Sequence, residues 1–344
     1  MSLLAAMREY VKLGRHRMHT PGHKGLLDWN DLATLDITEL GVGGKVFPAG
    51  LIQKAEKKTA KYFGSYEGRL LVGGSSMGLK ASIMTVDGDC IIGTDSHRAV
   101  FEGLELARRK AVIAPNIIHE GLSLPLTAEQ IEQAVKDNPN AKAVVITSPT
   151  YFGVAVTDPE KIVAAAHRNG LKLIADSAHG AHFPTSNIFP KSFSKFADYC
   201  VLSGHKTLDT LTQGAYLCIN DTSSICTLDH NLKLLGTTSP SYLILASLEY
   251  GVEQAQKAKV EDVLKSIEEF KKDFIQYYNP TNHSSLFTLH SSLPRDPFRL
   301  VIDAHSLNMT GYRLEASERK RGIECELATD RYIVYIFTFA DGGK

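Results

Sequence analysis

Between residues 65 and 220, seven short apolar runs alternate with helix-like segments, and this alternation restricts the chain more than any other feature. The runs are 69–72, 90–93, 111–114, 143–147, 171–175, 199–202 and 215–219. Most are apolar throughout rather than at every second residue, as strands covered on both faces require. The helices between them have recognisable ends. Asp158 and Pro159 supply an N-cap and a first helical residue, Ile162, Val163 and Ala166 an apolar stripe, and Gly170 a stop. Thr127 and Gln130 read as a capping box. Strands joined by helical crossovers predict an α/β fold, a seven-stranded and mostly parallel sheet with helices on both faces. Only the loop SGHKTLDTLTQG joins the last two runs, which suits an antiparallel pair. Helices at 243–257 and 261–277 and a βαββ-like stretch over 298–339 follow. The expected organisation is an N-terminal arm (1–40), a large domain (41–245) and a small α+β domain (246–344) that stops early.

Charge and composition narrow the function classes. Lys+Arg and Asp+Glu are both 38, a formal net charge of zero, whereas nucleic-acid binding usually brings a basic excess. A hydrophobic fraction of 43% and a charged fraction of 22% exclude disorder as the main state. Five cysteines, an odd number without C-x-x-C spacing, argue against a disulfide framework or a zinc ribbon. The first residues lack the apolar run of a signal peptide, and the late run 332–340 is about half a membrane span. The expectation is a soluble, cytoplasmic protein that binds neither nucleic acid nor membrane.

Ligands in such sheets sit beyond the carboxyl ends of the strands, and the polar clusters fall there. GGSSMG (73–78) follows the first run and precedes a helix, a setting in which free N–H groups and the helix dipole favour a phosphate. It is not a nucleotide P-loop: Leu79 holds the lysine position, and Ala81 follows Lys80 without a hydroxyl. A plain serine cap after a tight turn is the bland alternative. His97 follows the second run, where a histidine by itself is more often an ordinary loop residue than a catalytic one. Asp176 closes an apolar strand, where a carboxylate is costly without a positive partner. Lys206 follows the sixth run, either as a solvated charge or as a lysine kept near neutral for Schiff-base chemistry. Together they fit pyridoxal 5′-phosphate: a helix N-terminus for the phosphate, an acid for the pyridine nitrogen, an aromatic plate and a lysine for the aldehyde.

The motifs HTPGHKG (19–25), DITEL (36–40), GGSSMG, SHRAV around His97, TSPTYFG (147–153), DSAHGAHF (176–183), SGHKTLDTLTQGA (203–215) and TTSPSYLILASLE (237–249) occur in this order. In them the chain resembles the ornithine/lysine/arginine decarboxylase family of fold-type I pyridoxal-phosphate enzymes, in a shorter form. The resemblance implies that Lys206 bonds the cofactor aldehyde, Asp176 pairs with the pyridine N–H, and His97 stacks on the ring and assists proton transfer. It places His179 near the phenolic oxygen and Ser75, Ser76, Ser203 and His205 around the phosphate. It also implies a homodimer with the site at the subunit interface, where Thr238 or Ser239 reaches the partner's phosphate. Ser177 stands where the family usually has Glu, a change expected to tune the site. The family usually continues for about a hundred residues or more, so the early stop bears on turnover more than on cofactor binding.

The implied reaction is α-decarboxylation of arginine, lysine or ornithine to a polyamine precursor, with Lys206 or His97 returning a proton to Cα. Three rivals stand beside it. One is an aminotransferase or another pyridoxal-phosphate lyase of the same fold, for which Arg295, Arg299 and Arg313 cannot be placed from sequence. Another is a metal-dependent hydrolase using Asp176, His179 and His182 with help from His19 or His23. The third is a truncated paralogue that folds without turning over. No acidic residue stands out as partner for the distal charge of a basic substrate.

Overall fold

The computed structural model describes residues 16–18, 50–280, 286–287 and 293–342. The motifs at 19–25 and 36–40, the candidate ligands His19 and His23, and the proposed end of the arm at 40 lie outside the described residues. In chain order the elements begin with β1 (His16–Met18), α1 (Leu51–Phe63), β2 (Glu67–Leu71), α2 (Gly74–Met84), β3 (Asp89–Gly93), α3 (Arg98–Ala107) and β4 (Ala111–Ala114). Then come β5 (Ile118–His119), β6 (Leu122–Ser123), α4 (Ala128–Asp137), β7 (Ala141–Thr147), α5 (Pro159–Arg168), β8 (Lys172–Asp176) and β9 (Tyr199–Ser203). A single turn α6 (Gly204–Thr207), β10 (Ala215–Ile219), α7 (Ile225–Leu235), α8 (Tyr242–Ala255) and α9 (Val260–Tyr278) follow. The last elements are β11 (Arg299–Asp303), α10 (Gly311–Lys320), β12 (Ile323–Cys325), β13 (Leu327–Ala328) and β14 (Tyr332–Ile336).

All seven expected strands form one sheet, in the order β2-β10-β9-β8-β7-β3-β4. The strands from β9 to β4 run parallel, and β10 runs antiparallel to both neighbours. The missing crossover between β9 and β10 therefore has its structural counterpart. Successive strand residues serve opposite cores. Val144, Ile146, Leu173 and Ala175 pack on one face, and Ala143, Val145 and Ile174 on the other. Both faces are buried, so no position along these strands needs a polar residue. The expected caps are present as well: Asp158 accepts from Lys161 N–H, and Thr127 and Gln130 bond reciprocally.

A further core centres on the smaller region, in which Phe274 of α9 packs with Phe298, Leu300, Ile333 and Tyr335, and Ala155, Phe183 and Phe189 join it from the large one. Its sheet is antiparallel, in the order β11-β14-β13. The βαββ reading is thus refined: β12 leaves this sheet and pairs in parallel with β1, near the other end of the chain. Helix α8 buries Leu245, Leu248, Val252 and Ala255 in the core of the large sheet.

The two regions meet through the loop after β7. Ala155 N–H donates to Pro294 O, and Asp296 N–H donates to Gly153 O, each at 2.9 Å. Beneath this seam His182 Nε2 lies 3.0 Å from Asp296 Oδ1, both fully buried. The His182 ring stacks on Phe298 with centroids 5.4 Å apart. Asp296 also accepts from Phe298 N–H. Burial alone would raise Asp296, but His182, Arg299 and this N–H outweigh it and hold the carboxyl below its usual range.

Candidate active site

The carboxyl ends of β3, β7, β8 and β9, with the N-terminus of α2, enclose a cavity of about 380 Å³. Ser75, Asp95, His97, Tyr151, Asp176, His179 and Lys206 line it, as does Ser123. The parallel register produces this convergence. Asp176 ends β8 level with Thr147 on β7 and Val201 on β9. The polar residues that follow these strands therefore emerge side by side.

The α2 end of the cavity has the features of an anion site. Its N-cap is Gly73, and no side chain caps the first turn. Gly74 has φ +75°, a conformation favourable for glycine and strained for other residues. Ser75 Oγ in that turn accepts from Ser203 Oγ at 2.9 Å, so the start of α2 and the end of β9 supply adjacent hydroxyls. Ser76 is half-buried in the same turn. His205 is half-buried too, with Nδ1 3.2 Å from Gly214 O.

At the other end, Asp176 is buried, and its Oδ1 accepts from Ala178 N–H at 3.2 Å. Burial raises its pKa; Lys206, the Ala178 N–H and His97 act in the opposite direction. A buried carboxyl of this kind suits a ligand that brings a positive N–H. Lys206 stands on α6, with its own pKa lowered first by burial and then by Arg299, against Asp176 and Glu326. Its Nζ lies 3.0 Å from His179 Nε2. His97 caps α3, its Nδ1 accepting from Ala99 N–H at 3.1 Å. A neutral ring in that setting carries its proton on Nε2.

Five contributors were not placed here from sequence: Arg299, named there without a position, and Tyr151, Glu326, Asp95 and Ser123. Arg299, on β11, approaches His179 Nδ1 with Nη2 at 2.9 Å. Tyr151 meets the His179 ring edge-on with centroids 4.9 Å apart and donates to Glu326 Oε1 at 2.6 Å. Asp95 accepts from Ser123 Oγ at 3.0 Å. Tyr151 sits inside the recognised TSPTYFG segment, and Asp95 lies two residues before His97, so both were within reach of sequence. Arg299 and Glu326 reach the site only through the tertiary meeting of the two regions.

Some expected residues stand apart. Thr238 and Ser239 are exposed between α7 and α8 and do not line this cavity. The metal alternative is corrected. His182 is committed to Asp296 and the Phe298 stack, and the described residues hold no group of three or more His, Cys, Asp or Glu arranged for a metal ion. All five cysteines are unpaired.

The architecture, a mostly parallel seven-stranded sheet with helices, is the fold of fold-type I enzymes. The constitutive lysine decarboxylase of E. coli superposes with a TM-score of 0.69 at 18% identity, over 83% of this chain and 48% of that one. The sequence description of the family "Orn/Lys/Arg decarboxylase, major domain" matches residues 2–343, and the chain belongs to this family. It is 32% identical to the uncharacterized protein YaaO of Bacillus subtilis, over 99% of this chain and 74% of that protein. It is 26% identical to an arginine decarboxylase of Bacillus anthracis, over 98% of this chain and 73% of that enzyme. Among the described residues no helix is long and apolar enough to cross a membrane.

Proposed function

We propose that the protein is a pyridoxal 5′-phosphate-dependent carboxy-lyase that removes the α-carboxylate of arginine, lysine or ornithine and releases a polyamine precursor. The observation that carries the reading is the convergence of Lys206, Asp176, His97 and Ser75 on one cavity, in a chain of this family. The residues present fit the cofactor. Ser75, Ser76, Ser203 and His205 would hold its phosphate at the uncapped start of α2. Asp176 would pair with the pyridine N–H, His97 would lie against the ring, His179 would meet the phenolic oxygen, and Lys206 would take the aldehyde. When bound, the cofactor supplies an electron sink for the pair left by departing carbon dioxide. The protein's share is to hold and move protons. Asp176, kept from water, would hold a proton at the ring nitrogen, and Lys206 or His97 would deliver one to Cα.

The exposed Thr238 and Ser239 and the family's dimeric sites support a homodimer in which these residues complete the partner's phosphate site. Five unpaired cysteines favour a cytoplasmic setting. The division into arm, large and small domains belongs to the same reading, with the packing of α8 favouring a boundary after residue 255.

The test is product analysis. Protein loaded with the cofactor should show a visible absorption band that Lys206→Ala abolishes. It should release carbon dioxide from one of the three amino acids and form agmatine, cadaverine or putrescine. A keto acid in place of the amine would transfer the site to aminotransferase chemistry. A coloured protein with no product from any of the three would leave a cofactor-binding paralogue.

A further inference from the structure

His179 is gripped on both sides by groups whose chemistry leaves it one arrangement of protons. On one side Arg299 Nη2 lies 2.9 Å from Nδ1. A guanidinium has donors only and keeps its charge throughout the accessible pH range, so Nδ1 must accept and carries no hydrogen. The ring's single proton is then on Nε2, 3.0 Å from Lys206 Nζ. An ammonium also has donors only, so it would set N–H against N–H at this contact. An imidazolium, or the other neutral tautomer, creates the same conflict at Arg299. We infer that Arg299 is a positioning residue which, by fixing the tautomer of His179, selects the free-amine form of Lys206.

The three side chains come from different parts of the fold: β11, the loop after β8, and α6. Both Arg299 and His179 are buried, at 3% and 5% exposure, so water does not relax the constraint. The Arg299 stem is held against Gly153, where an added Cβ would stand 2.7 Å from the arginine Cβ. Arg299 Nε and Nη1 are buried without hydrogen-bond partners among the described residues, an unfavourable placement for a residue of purely structural use. The other titratable groups facing this chain are Asp176, Asp296, Glu326, Tyr151, His182 and His205. Asp176 and Glu326 favour the ammonium, whereas burial and Arg299 favour the amine. Burial, with Lys206 and Arg299 adding to it, also holds His179 neutral by pushing its pKa well below the usual range. A free amine is the form that attacks an aldehyde. That use rests on the cofactor chemistry proposed above; the proton arrangement does not.

The experiment uses cofactor-free protein. Limiting acetic anhydride is applied over a pH series, and acetylation of Lys206 relative to exposed Lys265 is read by peptide mass spectrometry. Lys206 should reach half-maximal reaction at clearly lower pH than Lys265. Arg299→Met should cut its relative labelling at neutral pH about tenfold, one pKa unit, and Arg299→Lys should restore part of it. In a His179→Phe background the same Met substitution should change labelling by no more than about twofold, because the coupling runs through the ring. Equal effects in both backgrounds would mean that the arginine acts by charge alone and would overturn the proposal. So would a wild-type Lys206 that titrates with Lys265. The ¹⁵N spectrum of histidine-labelled wild-type protein gives a check that needs no folded Arg299 variant: His179 must show a bare Nδ1. Absence of the visible band or of amine product in the preceding experiment would remove only the cofactor reading.

Discussion

The seven-stranded sheet delivers its polar residues to the cavity from the ends of adjacent parallel strands, whereas the three-stranded sheet reaches the same place through two long side chains. Asp176, Lys206 and Ser203 lie on neighbouring strands or the turn directly after them, so backbone register brings them together. Arg299 and Glu326 reach His179 and Tyr151 because the two regions dock, through the loop after β7 tied to the segment before β11 and through Tyr332, whose hydroxyl donates to Glu120 O. One region therefore positions chemistry by local pairing, and the other by docking. A change in the first should alter the chemistry at constant fold, and a change at the seam should act on stability first.

The largest effect is expected at Asp176. Asp176→Ala should lower kcat for carbon dioxide release by about 10³-fold while cofactor affinity, from absorbance titration, falls far less. A near-normal rate would remove the electron-sink role from the large sheet. At the seam, Asp296→Ala leaves His182 buried without its partner and should cost about 3 kcal/mol in denaturant unfolding. Because the folded Asp296 pKa is lowered, its contribution is present above the usual carboxylate range and is lost as pH falls through the folded value. The wild-type advantage should therefore shrink in acid, and a pH-independent difference would weaken the docking argument.

Asp209 tests the same meeting from the opposite sign. Burial, with the charge of Asp341 adding to it, pushes its pKa up to about 6. A raised carboxyl favours folding when protonated and costs stability as pH rises past its folded value. Asp209→Asn should therefore stabilise the protein by about 2 kcal/mol above pH ~7 and change little below pH ~4. Destabilisation at high pH would mean that the ionised carboxylate has a positive partner. The smallest effect belongs to the large region far from the site: Thr127→Ala, which opens the capping box of α4, should cost about 1 kcal/mol and leave turnover unchanged.

The same contrast explains what could be read from sequence. The central strands of the large sheet were legible because both faces are buried and their apolar runs are nearly unbroken, and the ends of all seven lie within two residues of those observed. Ser75, His97, Asp176 and Lys206 were legible because each follows such a run. Arg299 was not, since its contact with His179 spans 120 residues and leaves no local pattern. The β5–β6 hairpin, which brings in Ser123, was missed for a different reason. Its turn places Glu120 and Gly121 at φ +50° and +79°, and Glu lacks the signal that Asn or Asp gives at such a position. The D-x-x-H-x-x-H spacing misled because spacing says nothing about Asp296, which takes His182.

The pairing of β1 with β12 joins His16 to Ile323 across 323 − 16 = 307 residues. Closing so long a loop early is entropically costly, and among the described strands β12 is the one that pairs with β1. On a ribosome adding about 5–20 residues per second, β1 waits roughly 15–60 s for its partner to be made. The first of the described strands is thus among the last to be seated, and its edge stays unpaired by β12 while the seven-stranded sheet is being built.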